Sequence, residues 1–309
     1  MKNILYKKSE FTIFSDTLEL DDTYLFNSFE YYKIHETVNT RYIKIGFQDK
    51  VIAIIQILIS DKFRIVSPIK ATFGGFQFLG RPSSELILES IEIFEDFSSN
   101  ILKAKEIHLT FPPLFYEELN STISYILLNS NYKIFKSEIN HYTNITDKEL
   151  DLNKTFKKKY KKLSKMNLSF DISMNWEESY KVLKENRENR GVKISMSLDE
   201  LKKMKTMFND KVFFFDLKSK ERILASCYCL AVNKNIIYVF YWGHNKIYDK
   251  ISPVILLANK IYEFAKKRDF KIIDVGTSSK NGSIDFGLKQ FKESLGFKVA
   301  LKLSFKKEL

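Results

Sequence analysis

The chain has 309 residues, 44% hydrophobic and 28% charged, with 10 glycines and 5 prolines. That is enough for two domains of ~100–200 residues each, and it excludes a low-complexity, collagen-like or largely disordered chain. The net charge of +12 is uneven: residues 1–150 hold 16 basic and 20 acidic side chains, the remainder 34 and 18, so the C-terminal half suits an anionic partner or carries lysine as its default surface residue.

Taken in chain order, Tyr42–Phe47 alternates and Val51–Ile59 is almost continuously apolar, which predicts two strands joined by a tight turn at Asp49-Lys50. A strand near 63–66 follows. Ala71–Leu79 predicts another, with Gly74 and Gly75 adjacent inside it. Glycine within a strand marks a bulge or a close approach by something else, so the pair is a candidate substrate-binding surface with a plain bulge as the alternative. Gly80–Ser84 breaks the chain. A helix over 85–102 presents Leu86, Ile87, Ile91, Phe94 and Phe97 on one face. A strand at 106–110 ends on Phe111-Pro112-Pro113, and a helix over 116–128 and a strand near 132–135 complete a unit.

The second half opens with a helix over 154–166 that carries seven lysines and sets Phe156, Tyr160 and Leu163 on one side. Helices over 176–189 and 197–208 follow, the latter begun by the capping box Ser197-x-x-Glu200. Strands are predicted at 212–217, 223–232 and 236–241, the last two joined by a turn at Asn233–Asn235. Ser252 is expected to cap a helix with Pro253 at its first position, running to about 268, before a strand at 271–275. Each half thus reads as strands, a long helix and another strand. A duplicated α/β fold with domains 1–150 and 151–309 is the expectation.

The apolar runs stop short of the ~20 residues a membrane helix needs, and Met1–Lys8 has no apolar signal core, so a cytoplasmic protein is expected. Cys227 and Cys229 share one face of a predicted strand, and the four histidines show no ligand spacing. Neither a disulfide framework nor a metal site is expected.

The wording of the C-terminal half is recognisable. Tyr241-Trp242-Gly243-His244 leads to Tyr248 and Ser252-Pro253, then to Ile273-Asp274-Val275-Gly276-Thr277-Ser278-Ser279, and finally to Gly287-Leu288-Lys289-Gln290-Phe291-Lys292-Glu293-Ser294-Leu295-Gly296. This resembles the Fem-type aminoacyltransferases and the wider acetyltransferase-like (GNAT) proteins of glycan and peptidoglycan biosynthesis. The lysine-rich segment 154–166, Ser67-Pro68, Phe73-Gly74-Gly75 and Phe111-Pro112-Pro113 extend the resemblance over most of the chain. It implies two tandem GNAT-like domains, each a mixed, mostly antiparallel sheet flanked by helices. It also implies transfer of an acyl or aminoacyl group to an amine on a cell-envelope glycan or peptidoglycan precursor. The donor would be an acyl-CoA or an aminoacyl-tRNA, and the acceptor a small glycan or nucleotide sugar, with tRNA as a further partner. Two departures stand out: the turn Asn245–Ile251 before the Pro253 helix lacks the glycines of a pyrophosphate-binding loop, and no long charged coiled-coil insertion is present.

Acyl transfer needs donors for the developing oxyanion, a neutral amine and a protonated leaving group. Lys292, matching the lysine of the family's Phe-Lys pair, is the first candidate, with a solvated surface lysine as the alternative. Tyr241 is a candidate proton donor or a core aromatic. His244 is a candidate base or a surface turn residue. Asp274, Thr277 and Ser278 sit at the next strand's end, in a turn that is a candidate for binding substrate phosphate or hydroxyls, with an ordinary loop as the alternative. Asn186, Arg187 and Arg190 end a helix. They suit carboxylate or phosphate binding, or complement the helix dipole. Other readings are an acyl-CoA-dependent sugar N-acetyltransferase, a basic RNA-binding protein, and a degenerate GNAT-like scaffold.

Overall fold

The computed structural model describes residues 3–146, 148–220, 222–280 (Lys280 by its backbone alone) and 282–309. In chain order the elements are β1 (Asn3–Lys8), β2 (Phe11–Ser15), α1 (Phe29–Ile34), β3 (Thr40–Phe47), β4 (Lys50–Ile59), β5 (Arg64–Ser67), β6 (Gln77–Phe78), α2 (Ser84–Asn100), β7 (Glu106–Thr110), α3 (Leu119–Asn129) and β8 (Lys133–Asn144). The second half adds α4 (Lys154–Leu163), β9 (Ser169–Ile172), α5 (Trp176–Glu188), α6 (Leu198–Met207), β10 (Val212–Ser219), β11 (Arg222–Ala231), β12 (Ile236–His244), α7 (Val254–Lys267), β13 (Ile272–Thr277), β14 (Ser279–Lys280), β15 (Ser283–Ile284), α8 (Phe286–Ser294) and β16 (Lys298–Glu308).

Two compact units result. One comprises Met1–Ile139 with Ala300–Leu309, the other Asn140–Val299. They depart from a single cut at 150 because of what the last strand of each half pairs with. β16 follows the second half in sequence, yet Ser304–Glu308 pair with β7 of the first unit. β8 follows the first half, yet Asn140–Asn144 pair with β13 of the second.

In the N-terminal unit the strand order is β1-β2-β3-β4-β5-β7-β16. All pairs are antiparallel except β5 with β7, which the crossover helix α2 connects. Apolar side chains of β3 and β4 meet Ile87, Ile91, Phe94 and Phe97 of α2 in one buried cluster. The expected strand 71–79 is present only at Gln77–Phe78. Ahead of it the Gly74 N–H donates to Thr110 O (2.8 Å) and the Gly75 N–H to Ser67 Oγ (2.9 Å), which turns the backbone out of register.

The C-terminal unit has the order β8-β13-β12-β11-β10-β9. Its one parallel pair, β12 with β13, is connected by α7. The mixed, mostly antiparallel α/β architecture is therefore the expected one. The capping box at Ser197 and Glu200 is formed on α6. Ser252 does not cap α7: it lies in the left-handed region at φ 55°, and Pro253 itself occupies the cap position with no side-chain cap. Val254, Ile255, Leu257, Ala258, Ile261 and Ala265 of α7 pack on β11 to β13 with Cys227 and Cys229, which lie buried on one face of β11. Among the described residues no helix is long and apolar enough to cross a membrane.

Candidate functional site

The site begins with a divergence of two strands. β12 and β13 are in parallel register only from Ile236–Tyr238 and Ile272–Asp274. Beyond that point β12 stays with β11 as far as Ala225 opposite His244, while β13 turns onto β8 with an irregularity between Asp274 and Thr277. Open backbone edges need a partner or a ligand, and the gap between them is a cleft of about 590 Å³. Tyr238, Phe240 and Trp242 line one wall, Val275, Gly276 and Thr277 the other, and α5 and α8 close the ends with Arg187, Arg190, Leu288, Phe291 and Lys292. An adjoining pocket of about 350 Å³ shares Asn186, Arg190, Trp242, Leu288 and Phe291 and is lined further by His244, Asp249 and Ser252.

α8 is aimed at the cleft by its cap. The Asp285 carboxylate accepts the Leu288 N–H (2.9 Å), and Lys289 pairs with Glu293 (2.6 Å) on the outer face. Phe291 packs against Phe156 and Trp242 and also lines the cleft, so it is both core and wall. Lys292 faces inward and is 2% exposed. Its Nζ donates to Gly276 O (2.9 Å) and Thr277 O (2.8 Å). Among the described residues the third N–H of its ammonium group has no protein acceptor. Burial pushes its pKa from the usual lysine value down to about 7, against the opposing pull of Asp274 and Asp285 and with Arg187 adding to the fall.

Asp274 (2% exposed) faces the same turn, and its Oδ1 accepts from the Gly276 N–H (2.7 Å) and from Asn140 Nδ2 (2.7 Å). Thr277 supplies a backbone carbonyl to Lys292, while Ser278 Oγ lies 3.3 Å from Nδ1 of the fully buried His141. Burial, with Lys292 beside it, lowers the His141 pKa to about 4, so this imidazole is neutral at physiological pH.

The α5 face Ser179, Val182, Leu183 and Asn186 is buried at helical spacing. Asn186 is spent on the scaffold: its Nδ2 donates to His244 O (2.8 Å), and its side chain fills the space a Cβ at Gly243 would need. Arg187 and Arg190 lie beside that face in the cleft wall. The Arg187 guanidinium sits 4.6 Å over the Tyr241 ring, with no acceptor for its N–H donors among the described residues. The Tyr241 hydroxyl bonds to Ser195 Oγ and accepts from the Met196 N–H (3.1 Å), which ties it to the loop before α6. His244 is 8% exposed, its Nε2 is 2.9 Å from Asp249 Oδ1, and its buried Nδ1 has no partner. Burial lowers its pKa, against the pull of Asp249.

Lys292, Arg187, Arg190, Asn186 and Thr277 therefore line one cleft, with Asp274 behind its wall and His244 in the adjoining pocket. Gly74 and Gly75 belong to the other unit. A Cβ at Gly74 would stand 2.8 Å from Ser67 Oγ, and one at Gly75 would stand 2.9 Å from the Phe111 ring, so both are filled by protein. Sequence reasoning missed Asn140, His141 and Asp285. Asn140 and His141 stand in a strand of mixed polarity, Lys133–Asn144, so no local signal set them apart. Among the described residues no cluster of three or more His, Cys, Asp or Glu is placed to hold a metal.

The sequence matches no protein-family model and no curated protein. Solved structures do match over nearly the whole chain. FemX is 14% identical, with 96% of this chain and 92% of that chain covered at a TM-score of 0.67. L-PGS from Bacillus licheniformis is 15% identical over 86% and 83%, TM-score 0.55. A tandem GNAT protein from the clavulanic acid biosynthesis pathway is 8% identical over 90% and 86%, TM-score 0.50. At these identities the likeness is one of architecture: the chain has the Fem-type, GNAT-like fold.

Proposed function

We propose that the protein is an acyltransferase that moves an acyl or aminoacyl group onto an amine of an anionic acceptor, such as a cell-envelope glycan or peptidoglycan precursor. The observation that carries this reading is Lys292, a buried ammonium held by two backbone carbonyls at the wall of the strand gap, with its third N–H left for a ligand. The acceptor amine attacks the donor carbonyl carbon and a C–N bond forms. The oxyanion of the tetrahedral intermediate meets the third Lys292 N–H, which the two carbonyls hold in place in advance. Collapse breaks the C–O bond of an aminoacyl ester or the C–S bond of an acyl thioester, and the leaving oxygen or sulfur takes up the proton released by the amine. Arg187 and Arg190 supply planar donor arrays for a phosphate or carboxylate on the acceptor. Tyr241 stacks under Arg187 and holds it, and His244 with Asp249 stands as the proton acceptor next to the cleft.

Thermal unfolding in the presence of acetyl-CoA, followed by direct binding of aminoacyl-tRNA, separates the two donor classes, because a ligand of the native state raises Tm by mass action. With the donor so identified, Lys292→Ala is expected to lower the transfer rate by about 10²–10³ with the fold retained, the usual loss for one oxyanion donor. Full activity in that variant, or no response of the native chain to either donor, would overturn the reading and leave a GNAT-like scaffold.

A further inference from the structure

The two carbonyls that hold Lys292 belong to consecutive residues. In a regular strand consecutive carbonyls point to opposite sides, so one ammonium group cannot take both. The strand is not regular here. Asp274 is opposite Tyr142, and pairing resumes with Thr277 opposite Asn140, so β13 advances three residues while β8 advances two. The extra residue makes a β-bulge. Gly276 lies within it at φ 71°, a conformation that favours glycine, and a Cβ there would stand 3.2 Å from the Tyr238 hydroxyl.

A single carboxylate closes the bulge. Asp274 Oδ1 accepts the Gly276 N–H on its own strand and the Asn140 side-chain N–H from the neighbouring strand, both at 2.7 Å. Asn140 is 2% exposed, so water does not compete for this bond. The charged groups acting on the Lys292 amine are Asp274 on β13, Asp285 at the start of α8 and Arg187 on α5, and the neutral His141 on β8 lies beside it.

We infer that Asn140 is a positioning residue for Lys292, acting through Asp274 and the Gly276 bulge to keep both carbonyls on the lysine amine. Its kinetic consequence rests on the acyl-transfer role proposed above; its effect on the placement of the amine does not.

The test uses the full chain with Asn140→Ala and the nearly isosteric Asn140→Leu, which keeps the volume without the donor should the alanine variant fail to fold. Two quantities are read: the Lys292 side-chain titration by NMR of its 13Cε, and kcat and KM against pH. An ammonium that loses its two carbonyl acceptors is disfavoured, so both variants are expected to move the Lys292 midpoint downward from about 7. A misplaced catalytic group loses rate rather than affinity, so both variants are expected to lose about tenfold or more in kcat with KM little changed. An unchanged Lys292 midpoint and an unchanged kcat in a folded variant would overturn the inference and leave Asn140 a structural strand residue. If Lys292→Ala keeps full transfer activity while Asn140→Leu still moves the Lys292 titration, the clamp stands and the acyl-transfer reading falls.

Discussion

Replacing Lys292 by Met should change how the stability of the C-terminal unit depends on pH. In the folded chain burial holds this amine at about 7, against 10.5 when it is free in water. A lysine with a depressed folded pKa works against folding wherever it must be carried as an ammonium. Below pH 7 both states bind the proton and the penalty is complete. Between about 7 and 10.5 the unfolded state binds one proton more, so stability rises with pH by about 1.4 kcal/mol per unit. Integrated from pH 7 to pH 9, this one group adds about 2 kcal/mol. Methionine fills a similar volume and binds no proton, so Lys292→Met removes that slope. It also leaves the Gly276 and Thr277 carbonyls without their donor, at about 1–3 kcal/mol. That loss is independent of pH and shifts the whole curve. The assay is urea unfolding of both proteins at pH 7, 8 and 9, following the same transition. Titrations shared by the two chains cancel in the difference, which should grow by about 2 kcal/mol across the range. A difference that stays flat would show that Lys292 is not held as a depressed, buried amine in the folded chain.

Gly75→Ala is expected to destabilise the N-terminal unit by about 2 kcal/mol or more, since a Cβ there meets the Phe111 ring at 2.9 Å on a backbone at φ 74°. Ligand-induced thermal shifts of the C-terminal unit should be unaltered; a lost ligand response in a folded variant would restore Gly74-Gly75 as a substrate surface. Arg187→Ala removes the guanidinium from the Tyr241 ring and an unpaired cation from the cleft. The expected outcome is a rise of about tenfold or more in KM for an anionic acceptor, an effect that shrinks with added salt, with kcat little changed. A salt-independent KM would argue that the cleft does not read charge.

Much of the fold was legible because it is written locally. The alternation of β3, the continuous apolar run of β4 and the 3.6-residue face of α2 can each be read without reference to the rest of the chain. So can the capping box of α6. Lys292 was legible for a different reason, a short Phe-Lys motif that resembles a known family. Where local rules failed, a distant partner had intervened. The strand expected across 71–79 is turned aside by Thr110 and Ser67. The exposed strand β1, the five-residue β2 and the six-residue α1 are too short to carry a periodic signal that can be read alone.

The sequence by itself determined most of the elements from β3 to β13, the α/β class and the basic second half, which depend on neighbours a few residues apart, while a family resemblance pointed to the antiparallel sheets and to Lys292. Only the tertiary structure decided that β16 pairs with β7 and β8 with β13, that β12 and β13 part to leave a cleft, and that Asn140, 134 residues from Asp274, closes the bulge that seats the lysine. Strand pairing and burial are set by non-local contacts, and an amine becomes unusual only when the fold takes it out of water.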